Sequence, residues 1–445
     1  MNETNLMSKM KISKAVATMA IPSVISSLVT VVYNMADTFF VGQTGDPLQV
    51  AAVSLTNPIF ILFMAFANMF GMGGSATASI AMGEKNEKRM KNVSAFITYA
   101  SLITGIFFAV ILLLGAKPIL QIFGADKQTY DLAYGYLFHI SYGAPFVIWS
   151  AAASFVVRAE GASKEAMIGT IVNIILDPIM INGLHMGAAG VAIATTIGNI
   201  LASLYYAWYF IKKSKCFSIH PGYFKYKDKI LTTVCSSGFP TAIFSVLMSV
   251  STIVLNQILV VYGNAPVAAI GIVFKANMFI TFLQMGLANG VQPLLGYNYG
   301  AGNIKRFRAV ESYTKKCCLI VGILSTVLYF VFRTQIIKLF ISDPEVVNYG
   351  VTMLIVYMIS GPVIGVLFVN MNCMQSVGRA LSATILSVLR QGVLLIPLLY
   401  LLNAVARIHG VIYGQALTDY IAVILSTIIW KQYQNSITKE KDSVK

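Results

Sequence analysis

The feature that most constrains this chain is a succession of apolar stretches, each long enough to cross a bilayer and separated by short polar or Gly/Pro breaks. A spanning helix needs roughly 20 apolar residues. Twelve candidate spans fit, at about 15–41, 50–82, 92–115, 130–157, 166–183, 188–211, 231–261, 267–299, 309–331, 345–376, 382–402 and 410–433. Of the 445 residues, 57% are hydrophobic and 11% charged, against roughly 45–50% and 25% in an ordinary soluble domain. That balance excludes a soluble globular protein and a disordered chain. The reading is an all-α integral membrane protein of twelve transmembrane helices. The opening segment, 1–14, is polar, and the run that follows is too long for a signal-peptide core, so it reads as the first span.

The charges between spans alternate. Of 32 Lys and Arg, 26 fall on one set of loops and near its helix ends, including the N-terminus, the lysine-rich segment 212–229, Arg379 and Arg390, and the C-terminus. Five fall on the other set, and Lys275 lies inside a span. The asymmetry predicts both termini in the cytoplasm of a multi-pass protein of the cell's inner (plasma) membrane. The net charge of +15 is then a membrane signature, and no nucleic-acid partner is expected. A monomer is the default expectation.

The chain repeats at a constant displacement, which superposes Ala51-Ala52 on Ala268-Ala269, Gly73 on Gly290 and Gly83 on Gly300. Lys88-Arg89 fall on Lys305-Arg306, Asp126 on Asp343, Pro145 on Pro362 and Gly161 on Gly378. Each half has six spans, so both begin on the same side and the repeats are parallel. Residues 1–211 read as an N-terminal lobe, 212–230 as a cytoplasmic linker, 231–433 as a C-terminal lobe and 434–445 as a tail. Such repeats, with a site near their interface, are a transporter feature.

Ionisable residues inside spans cost about 2.5–3.5 kcal/mol each at mid-depth. Asp37 lies in the first, Asp177 in the fifth, Lys275 in the eighth and Asp419 in the twelfth. Asn173 lies one helical turn before Asp177, on the same helix face, and Pro178 follows it, loosening the local backbone. A carboxylate, an amide and freed carbonyls suit Na⁺; a buried carboxylate equally loads and releases a proton. A capping Asp at a helix end is the bland alternative for Asp177, and an Asp reaching water at the outer end is the one for Asp37. Pro22 is a candidate hinge upstream of Asp37. Glu160, beside Arg158 and Lys164, reads as a solvated interfacial group. Lys275 and Asp419 read as structural, an ion pair or the flanks of a cavity.

Gly71-Met72-Gly73-Gly74 is a helix-packing cluster, since no Gly-Lys-Ser/Thr follows and no phosphate loop forms. Without a nucleotide site, transport would draw on an ion gradient. The five cysteines and four histidines are scattered and suggest neither metal nor haem. No clustered acids or nucleophile motif suggests an enzyme.

These residues resemble the multidrug and toxic compound extrusion (MATE) transporters over essentially the whole chain. The motifs are Asn34-Met35-Ala36-Asp37-Thr38-Phe39-Phe40-Val41-Gly42, Arg158-Ala159-Glu160-Gly161, Asn173-Ile174-Ile175-Leu176-Asp177-Pro178, Gly187-Ala188-Ala189-Gly190-Val191-Ala192, and Gln292-Pro293-Leu294 with Gly296-Tyr297-Asn298. The resemblance implies export of organic cations and amphipathic drugs by antiport with H⁺ or Na⁺, without a cofactor. It further implies a coupling-ion cluster of Asp37, Asn173, Asp177 and Thr195, with no metal beyond Na⁺ there. The second lobe places Arg390 and Leu394 where the first has Asn173 and Asp177, which favours the N-terminal site. A flippase of lipids or lipid-linked oligosaccharides shares the superfold. It would line its cavity with more cations than Lys275 and Arg390.

Overall fold

A computed structural model of the chain describes residues 7–43, 47–122, 129–167, 187–224 and 229–442, with 171–172, 175–176 and 179 between. Among these there is no strand. The long helices are α1 (Ile12–Gln43), α2 (Pro47–Gly83), α3 (Glu87–Leu114), α4 (Tyr130–Ala159), α5 (Gly187–Trp208) and α6 (Ile230–Val260). They continue as α7 (Asn264–Gly300), α8 (Ile304–Val331), α9 (Pro344–Ile359), α10 (Gly361–Ser376), α11 (Ala380–Val388) and α12 (Leu395–Asp442). Helices prevail because hydrocarbon offers no partner for backbone N–H and C=O groups, which a helix satisfies within itself.

Eight described helices are long and apolar enough to cross a membrane, and a ninth is the pair α9 and α10, bent by 47°. The predicted tenth span is that pair, broken at Ser360. The predicted eleventh and twelfth spans are joined without a loop, and the chain is interrupted only at Arg407 (φ 51°, ψ −139°), which splits α12. The predicted fifth span lies largely outside the described residues.

By contact the chain divides into two units. One comprises Met1–Met10, Val29–Ala242 and Gly296–Asn303; the other comprises Lys11–Leu28, Ile243–Leu295 and Ile304–Lys445. In the first, α2, α3, α4 and α5 surround a core that includes Phe63, Ile97, Leu137, Ile148 and Tyr206. In the second, parts of α6, α7, α9 and α12 bury Leu259, Ile270, Met353, Tyr357 and Leu399.

The repeat is written into the backbone. After α2, Lys85 takes φ 56°, and at the matching position after α7, Gly302 takes φ 73°. The N–H of Asn86 reaches the carbonyl of Ala81 at 2.9 Å, as that of Asn303 reaches Asn298 at 2.9 Å. These six-residue closures end both helices in the left-handed C-terminal motif. The same correspondence joins Gly161 (φ 92°) after α4 to Gly378 (φ 76°) after α10. It extends to packing. A Cβ on Gly105 would strike Pro145, and one on Gly322 would lie 2.5 Å from the Gly361 carbonyl and 2.7 Å from Cα of Pro362.

Glycines also allow close helix contacts. In the first unit, Gly73 of α2 lies against the Val234 carbonyl of α6, Gly238 against the Met69 carbonyl, and Gly300 against Ile80. In the second, Gly286 and Gly290 of α7 lie against Val24 and Ala20 of α1. Small residues let backbones approach where apolar burial no longer distinguishes a neighbouring helix from lipid. Gly238→Ala should therefore cost about 1–3 kcal/mol by overpacking. Gly271→Ala, in the same class of helix but with nothing within 4 Å of the new Cβ, should be neutral or stabilising by up to about 1 kcal/mol. Thermal unfolding of both variants in detergent distinguishes close packing from a general intolerance of side chains.

Candidate functional site

Asp37 belongs to α1, the helix that also contains Pro22. Pro22 is partly exposed and sits inside a continuous helix, where it withholds the N–H that would bond the carbonyl of Thr18. The side chain of Asp37 lies outside the described residues, as do Asn173 and Asp177. Thr195 is on α5 and is 4% exposed.

The orientation of Thr195 follows from a polar ladder between α4 and α5. Asn199 Nδ2 donates to the carbonyl of Thr195 at 2.7 Å, one turn back. Ser150 Oγ of α4 donates to Asn199 Oδ1 at 2.7 Å. Thr196 Oγ1 donates to the carbonyl of His139 at 3.1 Å, and Ser203 Oγ to that of Phe146 at 3.3 Å. Gly143 leaves the room that Thr196 occupies. These bonds fix the rotation of α5 about its axis. Asn199 carries no sequence signal of its own, because an Asn one turn after a Thr is common in any helix.

Glu160 corrects the solvated reading. It is 1% exposed and accepts four hydrogen bonds: from Tyr209 Oη at 2.9 Å, Ser214 Oγ at 2.8 Å, and the backbone N–H groups of Lys215 and Cys216 at 3.0 and 3.2 Å. The end of α4 is thereby stapled to the chain leaving α5, through a π turn at Tyr209–Lys213. Local charge points to solvent, but the donors come from beyond the far end of α5. Beside it, Lys213 Nζ meets Glu165 Oε1 at 2.7 Å. Burial opposes ionisation of Glu165, but the hydrogen bond and charge of Lys213, with Lys164, outweigh it and hold the carboxyl below its ordinary 4.5. That contribution is complete above pH 4.5 and is lost as pH falls through the lower folded value.

Asp419 pairs with Arg390, not with Lys275. Arg390 Nε donates to Asp419 Oδ1 at 2.8 Å, with side chains 7% and 5% exposed. Ser360 Oγ donates to Oδ2 at 2.8 Å and Gln415 Nε2 to Oδ1 at 2.9 Å. Arg390 also lies over the rings of Phe244 and Phe368. It is therefore no loop cation: it sits in a π turn, Leu389–Leu394, inside the run from α11 to α12. Lys275 is partly exposed and forms no ion pair among the described residues. Among the described residues no three His, Cys, Asp or Glu side chains come together as a metal site would need.

The MatE family model matches residues 22–184 and again 240–401. The chain belongs to the MatE family. The ends of the two matches, at 184 and 401, are related by the displacement at which the helix ends and glycine contacts recur. Over 437 residues the chain is 31% identical to the multidrug export protein MepA of Staphylococcus saprophyticus, across 97% of this chain and 96% of that protein. It is 32% identical to the MepA of Staphylococcus haemolyticus, with the same coverage. Its fold superposes on a multidrug resistance MATE family transporter of the MOP superfamily in an outward-facing conformation. The TM-score is 0.93 at 23% identity, covering 99% of both chains. The chain thus has the twelve-helix, two-repeat MATE architecture of a multi-pass membrane protein.

Two stability outcomes follow. Glu160→Ala strands four donors; hydrogen bonds to a charged group contribute about 1.5–3 kcal/mol each, so a loss of about 3 kcal/mol or more is expected in detergent unfolding. Arg390→Leu leaves a buried carboxylate uncompensated and should cost about 3–5 kcal/mol. The double variant Arg390→Leu, Asp419→Leu should be more stable than either single one, and additive losses would mean that the two groups act separately.

Proposed function

We propose that this MatE protein exports organic cations and amphipathic drugs by antiport with H⁺ or Na⁺. The reading is supported by similarity to multidrug export proteins over nearly the full chain. It is sharpened by one observation, the buried Arg390–Asp419 pair. At the position where the N-terminal repeat has Asn173, the C-terminal repeat has Arg390. A fixed guanidinium there is an internal cation that cannot leave. An exchangeable ion is then assigned to the N-terminal repeat, to Asp37, Asn173, Asp177 and Thr195. The same pairing removes Arg390 from the cations a lipid-oligosaccharide flippase would present.

In this scheme H⁺ or Na⁺ entering from outside neutralises Asp37 and Asp177. Loss of their charge weakens the hold on a cationic drug, which leaves outward. The first helix bends at Pro22, where the missing N–H makes bending cheap. The lobes 1–211 and 231–433 then rock about the linker 212–230, and drug and ion compete inside for the same carboxylates. A membrane potential contributes about 2.3 kcal/mol per charge per 100 mV. Both termini face the cytoplasm, the protein works as a monomer, and no catalysis or cofactor is involved.

Ethidium efflux from proteoliposomes, under an imposed proton or sodium gradient, tests the proposal. Wild type should respond to one gradient, and Asp177→Asn should lose at least about tenfold of the gradient-driven rate. Thr195→Val, with thermal stability unchanged, should raise the ion concentration needed for half-maximal efflux. Flux indifferent to both gradients would overturn the antiport reading, and full activity in the Asp37→Asn, Asp177→Asn double variant would overturn the site.

A further inference from the structure

The first half of α3 is buried at every position of 92–98, so it is covered on all sides. Its second half is not: Ile103, Phe107 and Val110 are 59%, 59% and 49% exposed. At helical spacing Asn92, Phe96 and Tyr99 continue the same stripe. The face that meets lipid in one half of the helix is therefore occupied by protein in the other.

The cover is the segment 214–224, which follows α5. Ser94 Oγ exchanges hydrogen bonds with the N–H and the carbonyl of Ser218, both at 2.9 Å. Tyr99 Oη donates to the carbonyl of Ile219 at 2.9 Å. Phe224 stacks on Phe96, with ring centroids 6.3 Å apart and planes within 4°, and meets the Tyr99 ring edge-on at 5.4 Å. The other end is held on α4, where Ser214 and the N–H groups of Lys215 and Cys216 donate to Glu160. Between the two ends Phe217 is 3% exposed within the core of this unit, 6.4 Å from the Phe210 ring.

Apart from one turn at Pro221–Tyr223, the segment has no regular structure, yet its backbone is bonded. The N–H groups of Phe217, Ser218, His220 and Gly222 donate to Ser214 Oγ, Ser94 Oγ, Ser218 Oγ and His220 Nδ1. A connection free to swing leaves such groups to water. Detachment would strip Glu160 of three of its four donors, bare Phe217, and turn Ser94 and Phe96 outward.

We propose that residues 214–224 are a fixed strap. They stay on α3 and α4 throughout transport and travel with the helices of the first unit, so the pivot between the lobes excludes them. The proposal rests on the antiport reading for the motion alone; the docking does not need it.

Pinning the strap tests the proposal in the full chain. Phe224→p-benzoylphenylalanine, illuminated in proteoliposomes, should form an intrachain crosslink that maps to α3. The crosslinked protein should keep more than about half of the gradient-driven ethidium efflux of the same protein left dark. A loss of about tenfold or more, absent from illuminated wild type, would mean that the strap must leave α3 and would overturn the proposal. A crosslink that maps away from α3 would overturn the docking itself. If the dark protein answers to neither gradient, the antiport reading has failed, and the map still judges the strap. Hydrogen exchange needs no photoreactive residue. Ser94→Ala should speed exchange of the Ser218 amide about tenfold and leave the amides of α3 beyond Ser101 unchanged. A Ser218 amide that exchanges in wild type as fast as an open loop would also overturn the strap.

Discussion

Within hydrocarbon a backbone N–H or C=O without a partner costs several kcal/mol, and the departures from regular helix in this protein are organised around that cost. Where α9 breaks into α10, Pro362 has no N–H for the carbonyl of Met358, and Thr326 Oγ1 of α8 donates to it at 3.1 Å, while Gln284 Nε2 of α7 donates to the carbonyl of Gly361 at 2.7 Å. The adjoining Ser360 hydroxyl reaches Asp419. At the end of α5, the turn that leaves the helix gives two backbone N–H groups to Glu160. At these two interruptions another helix brings a polar side chain to the backbone.

The glycine contacts carry the same constraint into packing. Lipid is as apolar as leucine, so helices gain little by burying aliphatic surface against each other and more by bringing backbones close. Gly105 against Pro145 and Gly322 against the Gly361–Pro362 step place one solution in both repeats. The duplicated helix ends after α2 and α7 repeat the chain reversal as well. A duplicated scaffold with diverged interiors lets one half hold an exchangeable ion while the other holds a fixed one, as in the proposed scheme.

Much of this is legible in the chain. Span number, the parallel repeat and its constant displacement follow from hydropathy and from the recurrence of glycines and prolines, because backbone-level requirements restrict the residue type itself. The break at Arg407 falls inside the predicted gap between 402 and 410. Charged residues are harder to read. Local sequence puts Arg390 with the loop cations and Glu160 with solvent, since the neighbouring residues give no other cue. Both are buried against groups 29 to 56 residues away. Of the predicted coupling cluster, the structure describes Thr195 and its ladder, while Asn173 and Asp177 lie outside the described residues.

The sequence by itself determined that this is a twelve-span membrane protein of two parallel halves, related to MATE transporters, with acids in its first half. Those conclusions rest on bilayer thickness, helix rise and the backbone demands of glycine and proline, which are local and one-dimensional. Only the tertiary structure decided that Asp419 belongs to Arg390 and not to Lys275, and that Glu160 staples α4 to the chain after α5. It also showed that the segment after α5 lies along α3. Pairing of charges is a three-dimensional matter: in a low-dielectric interior a charge is held by whichever partner the packing brings within about 3 Å, and sequence distance says nothing about that.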